Sequence, residues 1–171
     1  MKGYIHLYTG DGKGKTTAAF GLALRAVGAG KRVYFAQFVK GMPYAEIDAV
    51  RQFLPAITLK QFGLNCFIFN QPTPDDIAAA RAGLNEVALV LQSTEYDMVV
   101  LDEACIALHY QLFGIDEFIR VIQHRTQSLE LIITGRYAPQ RLIDLADLVT
   151  EMKMIKHYYN QGVEARKGIE F

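Results

Sequence analysis

Apolar residues along this chain follow two alternating spacings. Short apolar runs occupy Gly3–Tyr8, Val33–Val39, Ile57–Phe62, the centre of Asp97–Glu103, Leu129–Arg136 and Ala146–Met152. Between them the apolar positions recur three and four apart, as in Ile77, Ala80, Leu84, Val87, Ala88 and Leu91. The runs predict six strands, and the spaced segments predict helices over Ala18–Val27, Tyr44–Phe53, Thr73–Ser93, Ile115–Gln127 and Pro139–Leu145. Helix punctuation agrees. Gly28 and Gly30 close the first helix and Pro55 breaks the second. Thr73-Pro74-Asp75-Asp76 opens the third with proline in the first turn and acids facing the dipole. Unbroken apolar strands that alternate with helices fit a parallel sheet covered on both faces. The expectation is a three-layer α/β fold with a mostly parallel six-stranded sheet, one domain over residues 1–171.

The first strand runs into Thr9-Gly10-Asp11-Gly12-Lys13-Gly14-Lys15-Thr16-Thr17, and a helix follows at once. Strand, glycine-rich loop, Gly-Lys-Thr and helix is the context of a phosphate-binding P-loop. Glycines let backbone N–H groups turn onto an anion, and the helix N-terminus adds unpaired donors and partial positive charge. Lys15 can then reach phosphate oxygens and the Thr16 hydroxyl can ligate Mg²⁺. The usual spacing puts a glycine where this chain has Thr9, and Lys13 adds a second cation inside the loop. Asp97–Glu103 ends in two acids, the form of a Walker B element whose carboxylates, Asp102 and Glu103, hold Mg²⁺ directly or through water. Two acids closing a strand can equally be solvated or cap the next helix. Two further features sit at strand ends, where open α/β sheets place ligands. One is the loop Lys40-Gly41-Met42-Pro43; the other is Arg136, whose guanidinium can pair with phosphate. Arg25 lies about 14 Å past Thr16 along the first helix, within reach of the far end of a nucleotide or simply exposed.

Composition changes this picture little. Of 171 residues about half are hydrophobic, and 18 Lys and Arg balance 18 Asp and Glu, so no basic footprint points to nucleic acid. The basic residues Lys153, Lys156, Arg166 and Lys167 near the C-terminus read as a solvated face. Cys66 and Cys105 are the two cysteines, and their spacing suits neither a metal site nor a disulfide framework. The first strand begins without a targeting segment, and no apolar run approaches the roughly 20 residues that span a bilayer. These features predict a cytoplasmic protein with reduced thiols. The loop Gly63–Pro72 carries Phe67, Ile68 and Phe69, either an apolar contact surface or a satellite of the core. The four histidines are scattered, and no nucleophile elbow is present. The tail from Lys153 to Phe171 is polar and aromatic together and reads as no simple helix.

Up to this point the residues define a Mg²⁺-nucleotide-binding α/β domain and leave the reaction open. The segments T-G-D-G-K-G-K-T-T-A-A-F-G, Q-F-V-K-G, V-V-L-D-E, I-T-G-R and I-K-H-Y-Y-N-Q-G-V-E-A-R-K-G-I-E-F together closely resemble the P-loop ATP:corrinoid adenosyltransferases of cobalamin synthesis and salvage. The likeness runs from Tyr4 to Phe171. It implies a three-layer P-loop NTPase fold of RecA-like form and transfer of the 5′-deoxyadenosyl group of ATP to cobalt, with triphosphate released. In that family Co(I) of the reduced corrinoid attacks the ribose C5′, so the protein supplies no nucleophile. ATP lies reversed relative to other P-loop proteins.

By carry-over Thr9, Gly10, Asp11, Gly12, Lys13, Gly14, Lys15, Thr16 and Thr17 hold the triphosphate, with Lys15 and Glu103 carrying the catalytic roles. Thr16, Asp102 and Glu103 hold Mg²⁺, and Arg25 sits where the family has an arginine near the nucleotide; Arg136 joins the site on its position at the ligand edge, with an exposed surface arginine as the alternative. Asp11 replaces an asparagine common at its position. Phe67 and Phe69 match the region where two aromatics lie against the corrin and displace the lower cobalt ligand; Phe69 stands where better-known members carry tryptophan. The resemblance further implies a homodimer and a flavodoxin-like reductant. Two readings of other kinds remain beside it: a RecA-like ATPase or phosphotransferase releasing ADP, and nucleotide or corrinoid binding without turnover.

Overall fold

The computed structural model describes residues 2–64, 68 and 71–171. Strands β1 (Ile5–Thr9), β2 (Val33–Phe38), β3 (Ile57–Phe62), β4 (Met98–Asp102), β5 (Glu130–Thr134) and β6 (Leu148–Glu151) form one sheet. Their order is β3-β2-β4-β5-β1-β6 and every neighbouring pair is parallel. The expected mostly parallel sheet is therefore parallel throughout. All six strands end at one edge of the sheet, and β5 separates the glycine-loop strand β1 from the acidic strand β4.

Helices α1 (Lys15–Gly28) and α2 (Ala45–Phe53) cover one face. There Ala19, Ala23, Ala26 and Val50 pack on Val33, Phe35, Val100 and Ile132. Small alanines on α1 let the helix that follows the loop sit close to the strands. The other face carries α3 (Pro74–Gln92), α4 (Ala104–His109), α5 (Ile115–Gln123) and α6 (Gln140–Leu145). Leu84, Leu91, Phe118, Ile122 and Leu142 there meet Leu7, Phe38, Leu101, Leu131 and Ile133. Central strands β2 and β4 are buried at every position, as their unbroken apolar runs require, whereas the edge strand β6 is exposed throughout.

Local signals explain several boundaries. The α3 start is a capping box: the Thr73 hydroxyl accepts from the Asp76 N–H at 3.2 Å, and the Asp76 carboxylate accepts from the Thr73 N–H at 2.8 Å. Helix α5 ends at Gln123, four residues before the periodicity predicts. Beyond it, the Thr126 N–H donates to the Leu91 carbonyl and the Gln127 carbonyl accepts from Gly3, so tertiary partners replace helical ones. The short helix α4, which periodicity does not predict, is entered through Glu103 in a left-handed conformation, φ 57°. The tail forms a 3₁₀ turn, Tyr158–Gln161, and a further turn over 167–170, consistent with its polar-aromatic composition. Ile68, in the Gly63–Pro72 loop, packs against the core, and its carbonyl accepts from the Tyr110 hydroxyl at 3.3 Å. No described helix is long and apolar enough to cross a membrane. Replacing the fully buried Phe118 with alanine is expected to cost about 3–5 kcal/mol in urea unfolding, because it opens a cavity between α5 and the sheet.

Candidate active site

The loop between β1 and α1 is shaped by the chain that crosses it. Thr9 takes the place of the usual first glycine because β1 continues through it: its carbonyl accepts from the Met152 N–H at 2.8 Å. The glycine requirement moves one residue on. Gly10 has φ 97°, and a Cβ there would lie 2.4 Å from the Met152 carbonyl oxygen. Gly12 donates its N–H to that same oxygen at 2.7 Å, and a Cβ on it would also collide. The segment after β6 thus forms the outer wall of the loop.

Charges in the loop fall into two groups. Lys15, first residue of α1, is buried, and its ammonium donates to the Gly12 carbonyl at 2.7 Å. Among the described residues no carboxylate touches it, and burial pulls its pKa below the ordinary lysine value. Lys13 instead points to the tail. Its ammonium donates to Glu170 at 2.7 Å and to the Tyr158 hydroxyl at 3.0 Å, and Tyr158 in turn contacts Glu170. Asp11 also turns to the tail and accepts from the Met154 N–H at 3.2 Å, which accounts for a carboxylate in a loop suited to anions.

Behind the loop lies a buried carboxylate. Asp102 ends β4 with no exposed surface. Its Oδ1 accepts from Thr16 at 2.9 Å and Thr134 at 2.7 Å; its Oδ2 accepts from Lys40 at 2.8 Å and Gln37 at 3.3 Å. The four donors come from α1, the end of β5, the loop after β2, and β2 itself. Thr134 also accepts the Glu103 N–H at 3.0 Å, which fixes the left-handed turn leading into α4. Burial raises the Glu103 pKa and the Asp102 charge adds to it, against the lowering influence of Lys40, Lys15 and Arg136. For Lys40, burial acts downward, but the Asp102 charge and hydrogen bond hold its pKa above the ordinary value. Cys105, the second residue of α4, is a buried free thiol pushed up to about 12 by burial.

The remaining sequence-predicted residues are spread more widely. Arg136 is exposed just past β5 and lines an open cleft of about 770 Å³ with Thr9, Asp11, Tyr137, Val149 and Met154. Thr17 is exposed on the first turn of α1. Arg25, also exposed, sits in the last turn of α1 with its charge felt by Tyr8, away from the loop. Phe67 and Phe69 lie outside the described residues. Sequence reasoning placed the Lys40 loop at the ligand edge but gave Lys40 no role at Asp102, and it missed Gln37 and Thr134 as members of the site. The Q-F-V-K-G and I-T-G-R segments held them, but nothing in a linear pattern aims them at Asp102.

This arrangement can neutralise and orient a polyphosphate. It offers a buried ammonium, a helix N-terminus and oxygen donors suited to a hard cation. An all-parallel sheet with this loop after β1 and this acid after β4 defines an α/β protein of P-loop type. The model of the family described as "ATP:corrinoid adenosyltransferase BtuR/CobO/CobP" matches residues 1–171, and the chain belongs to that family. It is 36% identical to the corrinoid adenosyltransferase of Pseudomonas aeruginosa over 171 residues, 99% of this chain and 84% of that protein. Identity is 36% to the corrinoid adenosyltransferase of Escherichia coli K12 and 37% to corrinoid adenosyltransferase CobA of Salmonella typhimurium, each covering 99% of this chain and 86% of the relative. Adenosyl transfer from ATP to a corrinoid is the reaction of the family to which this enzyme belongs.

The Glu103 environment has a measurable consequence. A carboxyl whose folded-state pKa is raised destabilises the fold once ionised; the penalty is absent below the ordinary value of 4.5 and complete above the raised one. Glu103→Gln is therefore expected to raise the urea midpoint at neutral pH, with the gain shrinking toward zero as the pH falls to 4.5. Urea titrations of both proteins across that range check the sign.

Proposed function

We propose that the chain transfers the 5′-deoxyadenosyl group of ATP to the cobalt of a reduced corrinoid, with triphosphate as leaving group seated on the loop after β1. The observation that carries this assignment is Lys15, a buried ammonium at the N-terminus of α1 whose partner is one backbone carbonyl. An anion arriving there gains a charge partner already desolvated, which strengthens the interaction over the same contact in water. In the reaction the electron pair of cobalt forms the bond to C5′, and the C5′–O bond breaks with its pair going to triphosphate. The corrinoid substrate brings the nucleophile. The work left to the protein is to orient C5′ and stabilise the charge that develops on the departing oxygen.

Lys15 and the α1 N-terminus act directly on that charge. Arg136 and Lys13 add to it from the rim, Lys13 on exchanging Glu170 for phosphate. Gly10, Gly12 and Gly14 shape the cradle, with Thr9, Asp11 and Thr17 at its edges, and Arg25 approaches the far end of the nucleotide. Thr16 and Asp102 present hydroxyl and carboxylate oxygens side by side, and the Lys40 ammonium rests against both. A place that already accommodates a cation fits Mg²⁺, with Glu103 as the further donor. Mg²⁺ would supply neutralisation of the triphosphate oxygens. Phe67 and Phe69 are assigned to the corrin face, where displacement of the lower ligand eases reduction of cobalt. The family resemblance also supports a single adenosyltransferase domain acting as a homodimer in the cytoplasm and a flavodoxin-like donor of electrons.

The assay mixes protein, Mg-ATP and chemically reduced cobalamin, follows the absorbance spectrum and identifies the phosphate product. A light-sensitive adenosyl-cobalt spectrum with equimolar triphosphate is the expected result; ADP and phosphate without that spectrum would overturn the proposal. Lys15→Ala is expected to lower kcat/KM for ATP at least about hundredfold, the scale of losing one charge-stabilising donor.

A further inference from the structure

We propose that Lys40 is the resident cation of the Asp102 carboxylate, holding the place of a divalent ion in the nucleotide-free enzyme and yielding it when that ion arrives. This inference rests on the assignment of Thr16 and Asp102 as oxygen donors to a metal. The Lys40 ammonium lies 2.8 Å from Asp102 Oδ2 and 3.4 Å from Thr16 Oγ1, touching both of them. Asp102 already accepts four hydrogen bonds, about as many as a carboxylate can. A cation can reach it only by displacing a donor. Gln37 and Thr134 have no exposed surface and are held within the sheet. Thr16, the fourth donor, is itself assigned to the ion, and of the other three Lys40 alone has a long flexible stem and some exposure, 14% of its side chain.

The backbone is built to deliver this side chain. Val39 adopts φ 60°, a left-handed conformation that a β-branched residue rarely takes, and so turns the chain sharply at the end of β2. The turn is locked from the next loop. A Cβ on Gly41 would lie 2.5 Å from the carbonyl oxygens of Gly63 and Leu64, and one on Gly63 would lie 2.5 Å from the backbone nitrogen of Lys40. The Val39 N–H donates to the Phe62 carbonyl at 3.2 Å. Strain, interlocked glycines and a buried ion pair together hold one ammonium over the end of β4. A second resting place is adjacent, since the ammonium lies 5.3 Å from the centre of the Tyr44 ring. Exchange for a divalent ion would keep Asp102 paired at every stage and release one extra positive charge toward the incoming polyphosphate.

The test titrates Mn²⁺ into nucleotide-free protein and reads free Mn²⁺ by electron paramagnetic resonance. Lys40→Met, similar in length without the charge, is expected to bind Mn²⁺ about tenfold more tightly than wild type or better, because an unpaired buried carboxylate is strongly unfavourable. Lys40→Arg keeps a cation in place and should match wild type; the double variant Lys40→Met, Asp102→Asn should lose the gain. Equal Mn²⁺ affinity in wild type and Lys40→Met overturns the inference. If Lys40→Met folds poorly, its refolding yield is compared with and without Mn²⁺: a rise larger than wild type shows supports the exchange, and an equal response overturns it. Asp102→Asn titrated with Mn²⁺ in the presence of ATP separates the two levels. An affinity unchanged by that substitution removes the metal assignment itself, whereas a loss there beside equal wild-type and Lys40→Met affinities removes only the role of Lys40.

Discussion

A carboxylate with no exposed surface needs compensation from every direction, and Asp102 receives it from four donors on three segments, the start of α1, the end of β2 and the end of β5. A charge taken out of water costs several kcal/mol unless hydrogen bonds and an opposite charge replace the lost solvent. That requirement fixes the ends of β2, β4 and β5 and the first turn of α1 relative to one another. Removing any one donor leaves the others facing an under-paired charge. The C-terminal edge of the sheet therefore behaves as a connected unit, and the loop after β1 is hung from it through Thr16.

The opposite side of the loop is set by backbone rather than by charge. Met152 presses its carbonyl onto Gly10 and Gly12, so the path of the chain after β6 and the glycine content of the loop are one constraint seen from two ends. The tail then continues to Lys13 through Tyr158 and Glu170. Three of the four non-glycine residues described with left-handed backbone lie at the same sheet edge, Val39 after β2, Glu103 after β4 and Tyr137 after β5; the fourth, Gln111, follows α4. Each of those three lets the chain leave its strand sharply and keeps the next side chain near the site, the pattern expected where local strain is held by surrounding structure.

These features suit a reaction in which the substrate is the nucleophile. No activated side chain is needed when cobalt itself attacks, and what remains is fixed positive charge aimed at a leaving group. Under the proposed reaction Lys15, buried and in contact with no carboxylate among the described residues, meets that need in a way that exposed Lys13 and Arg136 do not. The division between one desolvated cation and several exposed ones is a property of folding geometry, since all three are cations beside glycine-bearing loops in the sequence.

Much of the fold was legible in the residues because its determinants are local. Unbroken apolar runs marked strands buried on both faces, T-P-D-D marked the start of α3, and Gly-Lys-Thr after a strand marked the loop. The tertiary structure decided what depends on distant partners. It shortened α5, since Thr126 and Gln127 find carbonyl and amide partners far away in the chain. It inserted α4 behind the left-handed Glu103, and it placed β5 between β1 and β4. It also joined Gln37, Lys40 and Thr134 to Asp102. The sequence by itself determined which segments are strands and helices and that a phosphate loop precedes an acidic strand, because spacing and glycine act within a few residues. Which lysine is buried, which is held by the tail and which neutralises Asp102 was decided only in three dimensions, because pairing and desolvation depend on what the fold brings together.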